Sequence, residues 1–233
     1  MSTNVIPRTW RYPLAGRITI AVLAAALIGT GLFIALIPFF AGGGDAVVYA
    51  ILGTCGAIVV AFGLFLALGF SAFARTVVAL DASALRAVVP VERGWLIVPR
   101  LRAIDLPPAT VRAVERRTEI TKFLGLSTVR QALSIVTTGG ARIGLLTAAE
   151  TSMVRLPLDE IAAAIANAAG ITVTDGGTVY SKAIGLYGAA ASDWNEPPLD
   201  VPAAQKARRG AAITLQIIVA LMAVTFIVRA CSH

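Results

Sequence analysis

Two long runs of uncharged apolar residues dominate the N-terminal third of the chain. They cover residues 18–40 and 46–74, and neither contains Lys, Arg, Asp or Glu. A helix needs about 20 apolar residues to cross a bilayer, so each run is long enough to span one. Because only residues 41–45 connect them, the two spans are predicted to form an antiparallel transmembrane hairpin.

A third apolar run covers residues 211–228, and Arg229 closes it. Hydrophobic residues make up 57% of the chain and charged residues only 14%, whereas soluble domains average roughly 45–50% and about 25%. The composition therefore excludes a purely soluble protein. A cleaved signal peptide is disfavoured for the first run because a signal peptide's apolar stretch is only about 7–15 residues long. The sequence predicts an integral membrane protein with three spans.

Basic residues near the ends of the spans predict the orientation of the chain. If the spans alternate, seven of them fall on one side, which the positive-inside rule assigns to the cytoplasm. We therefore expect a bacterial inner-membrane protein with its N-terminus and its 75–210 insert cytoplasmic and its C-terminus periplasmic. Trp10 and Tyr12 are expected at the inner interface. The seven residues, which are candidates for contact with anionic phospholipid, are Arg8, Arg11, Arg17, Arg75, Lys206, Arg208 and Arg209.

Small residues four positions apart predict close packing within the hairpin, because they let helix backbones approach each other. No specific dimer face is assigned to them. The pairs are Ala25 with Gly29, Gly53 with Ala57, and Gly63 with Ala67.

The insert between the second and third spans alternates as strands do and then changes period. Runs at 76–80 and 84–89 flank Asp81, Ala82 and Ser83, a pattern that predicts a hairpin. Further strands are predicted at 94–98, 100–106, 111–120, 131–137 and 141–147, the last two separated by a glycine turn. Apolar residues from Leu158 to Ala169 recur at helical spacing, with Gly170 as a stop signal. The insert is therefore predicted to hold six or seven antiparallel strands followed by one amphipathic helix.

Four segments of the insert resemble the bacterial PH-like domains found in small membrane proteins: VVALDASALRAVV, IDLPPATVRAVERR, LSIVTTGGARIGLL and LPLDEIAAAIANAAGI. The resemblance covers about residues 76–171 and implies an α+β membrane protein, with three transmembrane helices and a PH-like antiparallel sheet domain closed by one C-terminal helix. It also implies a scaffold, an assembly factor or a subunit of a larger complex. The first strand–strand loop, at Asp81, is acidic, so inositol-phosphate binding does not carry over.

The resulting division of the chain has six parts. They are a cytoplasmic arm (1–17), a transmembrane hairpin (18–74), a PH-like domain (75–171), a linker or docking arm (172–210), a third transmembrane helix (211–229) and a tail (230–233). Within the docking arm, Tyr180, Ile184 and Tyr187 share a helical stripe and Trp194 follows. These four residues are candidates for docking a partner. A simple tether between the domain and the third span is an equal alternative.

No motif for catalysis, a cofactor or a metal ion is found, and the one histidine is the last residue. The Asp159–Glu160 pair is interpreted as negative charge at a helix start. Glu115 and Glu119, which alternate with arginines, are interpreted as a solvated strand face with cross-strand ion pairs. We expect a non-catalytic accessory subunit or assembly factor whose partners are membrane proteins and anionic phospholipids, and no nucleic-acid binding. The alternative is a lipid-binding sensor that uses the basic insert.

Overall fold

The computed structural model describes residues 7–40, 45–91, 100–123, 126–149, 155–181, 194–210, 212–213 and 216. These residues form an α+β protein with two long apolar helices, two four-stranded sheets, one helix packed on the sheets and a further helix at 201–210. The strand predicted at 94–98 and nearly all of the predicted third span lie outside the described residues.

The predicted hairpin corresponds to helix α1 (Leu14–Phe40) and helix α2 (Ala46–Arg75). Both helices are long and apolar enough to cross a membrane. Helix α1 begins a few residues before the predicted span and includes Arg17, whereas α2 ends at Arg75, the first charged residue after its apolar run.

Glycines let the backbones of α1 and α2 touch. A Cβ atom added to Gly31 would lie 2.7 Å from the Val60 nitrogen, and one added to Gly56 would lie 2.7 Å from the Ala35 nitrogen. Gly63 is equally tight against Ile28. The close approach predicted from small residues is therefore present in the hairpin.

The residues that make this contact differ from most of the pairs predicted from the sequence. A Cβ atom added to Gly29 or Gly53 would meet no other atom within 4 Å, so these two glycines lie away from the helix–helix contact. Of the glycines in the predicted pairs, only Gly63 faces the partner helix. The contact repeats at seven residues, from Gly56 to Gly63, which keeps small residues on one face of an antiparallel helix pair.

The first sheet joins the N-terminal arm to the insert. Its strands are β1 (Arg8–Arg11), β2 (Val77–Leu80), β3 (Leu85–Val91) and β4 (Arg100–Leu106), all antiparallel and in that order. β1 precedes α1 and β2 follows α2, yet the two strands pair, with Arg11 opposite Val77. The hairpin is therefore inserted between two hydrogen-bonded strands, and the arm belongs to the sheet domain.

The predicted β2–β3 hairpin is confirmed, and Asp81 shapes its turn. Asp81 Oδ1 accepts hydrogen bonds from the Ser83 hydroxyl at 2.7 Å and from the Ser83 and Ala84 N–H groups at 2.8 and 2.7 Å. These bonds, the one from the Ser83 side chain foremost, lower the pKa of Asp81.

The second sheet contains β5 (Val111–Phe123), β6 (Leu126–Thr137), β7 (Arg142–Ala149) and β8 (Val173–Ser181), in the order β7-β6-β5-β8. The antiparallel strands β5, β6 and β7 match the predicted runs. β8 pairs parallel to β5 and lies where the sequence suggests the start of a linker. Tyr180 is therefore in a strand, and the helical stripe proposed for it is wrong at this residue.

Helix α3 (Leu158–Ala169) connects β7 to β8 and covers the core. It follows Pro157 and ends at Gly170, whose φ of +70° is a left-handed conformation suited to glycine. Its buried residues include Leu158, Ile161 and Ile165, as the sequence predicts. Residues of β1, β2, β3, β5, β6 and β7 share one apolar cluster with it.

Trp10 and Tyr12 belong to this apolar cluster. The expectation that they sit at the membrane interface is therefore wrong. Their position beside a span makes an interfacial role the natural interpretation, but β1 carries them into the sheet domain.

Residues 194–200 lead into a helix at 201–210, and residues 212–213 and 216 are also helical. The Leu199 N–H donates to the Thr178 carbonyl at 2.7 Å, which ties this segment to β8. The Asp200 side chain then accepts a hydrogen bond from the Ala203 N–H at 2.8 Å, as a helix N-cap does.

Candidate functional site

The described structure brings three of the predicted basic residues together where the hairpin meets the first sheet. We call Arg11, Arg17 and Arg75 the junction arginines. Arg11 pairs with Val77, two residues beyond Arg75. The Arg17 N–H donates to the Pro13 carbonyl at 3.1 Å, so Arg17 lies one helical turn above the point where β1 passes into α1.

The junction arginines take part in none of the ion pairs that the described residues form. Arg11 and Arg75 are exposed, and Arg17 is half-buried. The Arg17 Nε atom is buried and has no hydrogen-bond partner in the described part of the chain. The three segments that join at the junction therefore each carry an arginine without a described carboxylate partner.

The other four predicted membrane-surface residues lie elsewhere. Arg8 pairs with Glu160 of α3 at 3.3 Å, and Arg208 donates to the Thr118 hydroxyl of β5 at 3.2 Å. Lys206 and Arg209 are exposed on the 201–210 helix. The contacts thus divide the seven residues among the junction, the start of α3 and the 201–210 helix.

Two of the four predicted docking residues are described. Tyr180 is in β8 with 38% of its surface exposed. The Trp194 ring lies 4.1 Å from the guanidinium carbon of Arg117 and 5.9 Å from that of Arg142, a cation–π arrangement. Ile184 and Tyr187 lie outside the described residues. Trp194 is thus engaged within the chain, whereas Tyr180 presents part of its ring to solvent.

A buried ion pair lies under Trp194. The side chains of Arg117 and Glu119 are only 3% and 1% exposed, and the Arg117 Nε donates to Glu119 Oε1 at 2.9 Å. The sequence interpretation of a solvated strand face is wrong for this pair, although the Arg142–Glu115 pair at 3.1 Å is a cross-strand ion pair as expected. No local signal distinguishes the two cases, because the burial of β5 comes from its neighbours β6 and β8.

The acidic pair at the start of α3 makes structural contacts. Asp159 pairs with Arg116, and Glu160 accepts hydrogen bonds from Arg8 and from the Trp10 indole at 3.2 Å. Glu160 thereby links α3 to β1. Both residues lie in the first turn of α3, where the sequence places them, but no side-chain cap hydrogen bond is present at this helix start.

A cleft of about 430 Å³ lies beside the start of α3 and is lined in part by Gln131 and Arg155. Within the described ranges, no group of three or more His, Cys, Asp or Glu residues could hold a metal ion.

The Tyr12 phenol is the buried titratable group closest to the junction. Burial raises its pKa from 10.0 to about 12, because desolvation disfavours the phenolate. Tyr12 is therefore neutral at physiological pH and adds no charge to the junction.

Comparison of the chain with protein-family models, with curated proteins and with solved structures returns no match.

Proposed function

We propose that the chain is a non-catalytic accessory subunit, or an assembly or scaffold factor, of a larger membrane complex. The observation that carries this proposal is the insertion of the α1–α2 hairpin between the paired strands β1 and β2. The sheet domain is thereby held at the base of the hairpin by two chain crossings. A protein that presents a binding surface at a fixed height and angle above a bilayer needs such a connection.

The surface of the hairpin also supports a role in a complex. Phe33, Phe39 and Phe40 are exposed on α1, and Ile58 and Phe62 are exposed on α2. Exposed apolar side chains on membrane helices contact lipid or the spans of other proteins. The tight glycine packing between α1 and α2 leaves these outer faces free for such contacts.

We further propose that the sheet domain is PH-like, that residues 211–229 form a third span, and that the domain lies on the cytoplasmic side of a bacterial inner membrane. Two four-stranded sheets with a shared core and a helix after β7 support the first point. The uneven distribution of basic residues supports the orientation.

The orientation is tested by labelling a single cysteine in the β2–β3 turn. Ala82→Cys places a thiol at an exposed position in a chain whose Cys55 and Cys231 are replaced by Ser. A membrane-impermeant maleimide should label it in inverted vesicles and not in intact spheroplasts. Labelling in spheroplasts would reverse the proposed orientation.

The function is tested by purifying the full chain from its native membranes in mild detergent and identifying associated proteins by mass spectrometry. We expect membrane proteins in a fixed ratio to the chain. Recovery of the chain alone, from detergents that preserve other complexes, would contradict the proposal.

A matched pair of variants tests the docking role of β8. Tyr180 and Val173 lie on the same strand and are 38% and 37% exposed. Tyr180→Ala should lower the amount of partner recovered, whereas Val173→Ala should not. Equal recovery with both variants would remove Tyr180 from the docking surface while leaving the scaffold proposal to the first experiment.

A further inference from the structure

The junction arginines lie at the level where the hairpin leaves the bilayer. No charged residue follows Arg17 until Asp45, and none lies between Asp45 and Arg75. Arg17 and Arg75 therefore mark the ends of the two apolar segments. Phospholipid phosphates occupy this depth, and long arginine side chains beside a span extend toward it.

The pairing of β1 with β2 determines which way Arg11 faces and places it beside the end of α2. Trp10 and Tyr12 are buried in the core, so Arg11, which lies between them, points to the opposite face of the sheet. Arg75 is the exposed last residue of α2 and lies two positions before Val77, where β2 begins. Because Val77 is opposite Arg11, the end of β1 and the end of α2 lie next to each other, and both arginines are exposed there.

Arg17 adds a third guanidinium from the first turns of α1. The first turn of this helix has no acidic residue, so no side chain there offsets the positive charge. The buried Arg17 Nε has no hydrogen-bond partner among the described residues. A buried donor without a partner is costly, and an anion at the junction would accept its hydrogen bond and offset the positive charge of the arginines there.

We propose that the junction arginines bind the phosphate group of an anionic phospholipid. Guanidinium groups donate paired hydrogen bonds that match the oxygens of a phosphate. The acyl chains of such a lipid would lie along the apolar surface of the hairpin. This site does not depend on the identity of a protein partner, so it stands or falls separately from the scaffold function.

The test titrates the purified full chain in mild detergent with phosphatidylglycerol or phosphatidylcholine and counts bound lipids by native mass spectrometry. We expect tighter binding of phosphatidylglycerol. A basic residue near an anionic surface contributes about 1 kcal/mol, so each Arg→Gln change at the junction should weaken binding about fivefold. The triple variant should weaken it roughly a hundredfold.

Control variants separate a defined site from general attraction between charges. Arg112→Gln and Arg155→Gln remove the same charge from exposed arginines that lie away from the junction, and neither should change the affinity. Equal weakening by these controls would overturn the proposal. Arg17→Lys guards against misfolding, because it keeps the charge but loses the planar donors and should bind between wild type and Arg17→Gln.

Competition with inorganic phosphate tests whether the site binds a free phosphate or the phosphate group of a lipid. Inorganic phosphate should fail to displace phosphatidylglycerol at equal concentration, because it has no acyl chains to contact the hairpin. Displacement at equal concentration would assign the site to a free phosphate and overturn its assignment to lipid.

Discussion

The hairpin and the sheet domain differ in which residues they place in their interior contacts. In the hairpin, Phe39 and Phe40 are 80% and 84% exposed, while Gly31 lies at the helix–helix contact. In the sheet domain, Leu133 and Ile161 are fully buried. A large apolar side chain gains from burial only where water is the alternative. For a helix in lipid, the surrounding environment is already apolar. Close backbone packing, and not the burial of apolar side chains, is then the reason that helices associate.

The comparison has one exception inside the sheet domain. The Arg117–Glu119 pair is as buried as the leucines of the apolar core. Taking two charges out of water is costly, and their attraction and hydrogen bonds offset that cost only while both are present. The second sheet thus buries apolar side chains on the face covered by α3 and a charged pair on the face under Trp194.

Removing one partner of this buried ion pair should have the largest effect on the stability of the protein. Arg117→Ala leaves the Glu119 carboxylate buried without its arginine and should lower the free energy of unfolding by about 3–5 kcal/mol. Urea unfolding in mild detergent, followed by tryptophan fluorescence, measures the change. The double variant Arg117→Met/Glu119→Leu should lose far less. A single-variant loss below about 1 kcal/mol would mean that the pair is effectively solvated.

The difference in side-chain burial between the two regions is tested by truncating one apolar side chain in each. Leu133→Ala creates a cavity in the domain core and should cost about 2–5 kcal/mol in the same assay. Phe39→Ala removes a larger side chain that is exposed on the hairpin, and it should cost much less. Equal losses would show that Phe39 is buried by another span or a partner.

The burial of Tyr12, which lies between the hairpin and the sheet domain, is tested by the pH dependence of stability. Because the pKa of Tyr12 rises from 10.0 to about 12 on folding, the folded state holds the phenol proton more tightly than the unfolded chain does. Stability is therefore fully present below pH 10 and falls as the pH rises toward 12, by about 2–3 kcal/mol. Tyr12→Phe should flatten this decline. An unchanged pH profile would assign it to other groups.

The glycine contact is tested by a matched pair on α1. Gly31→Ala forces a methyl group against the backbone of α2 and should destabilise the hairpin by about 1–3 kcal/mol. Gly29→Ala meets no atom within 4 Å and should be neutral or slightly stabilising. Thermal melting of the full chain in detergent compares the two. Equal melting temperatures would contradict the packing of Gly31 against Val60.

Local patterns in the sequence predict most elements of this fold. The hairpin follows from charge-free length, β2–β3 and β6–β7 from alternation around turns, and α3 from its apolar period and Gly170. Local patterns do not predict β1 and β8, because each pairs with a strand that is distant in the sequence. β1 pairs with a strand on the other side of two spans, and β8 pairs with β5 through the α3 crossover.

The site is predictable only in part. Charge counting selects Arg11, Arg17 and Arg75 together with four other residues, but only the β1–β2 register shows that the end of β1 lies beside the end of α2. The burial of Arg117 and Glu119 does not follow from their strand, because alternating charge is the usual mark of an exposed face. Trp10 misleads for the same kind of reason, since its position beside a span resembles an aromatic belt.

The pairing of β1 with β2 also imposes an order on biosynthesis. β1 leaves the ribosome before either span, but its partner strand emerges only after both spans are complete. In the membrane-spanning arrangement that we propose, the first strand therefore remains unpaired until α1 and α2 have been inserted in antiparallel orientation. If only one span inserts, β1 and β2 are left on opposite sides of the bilayer and the first sheet lacks its edge. Completion of the sheet thus reports that insertion of the hairpin was successful.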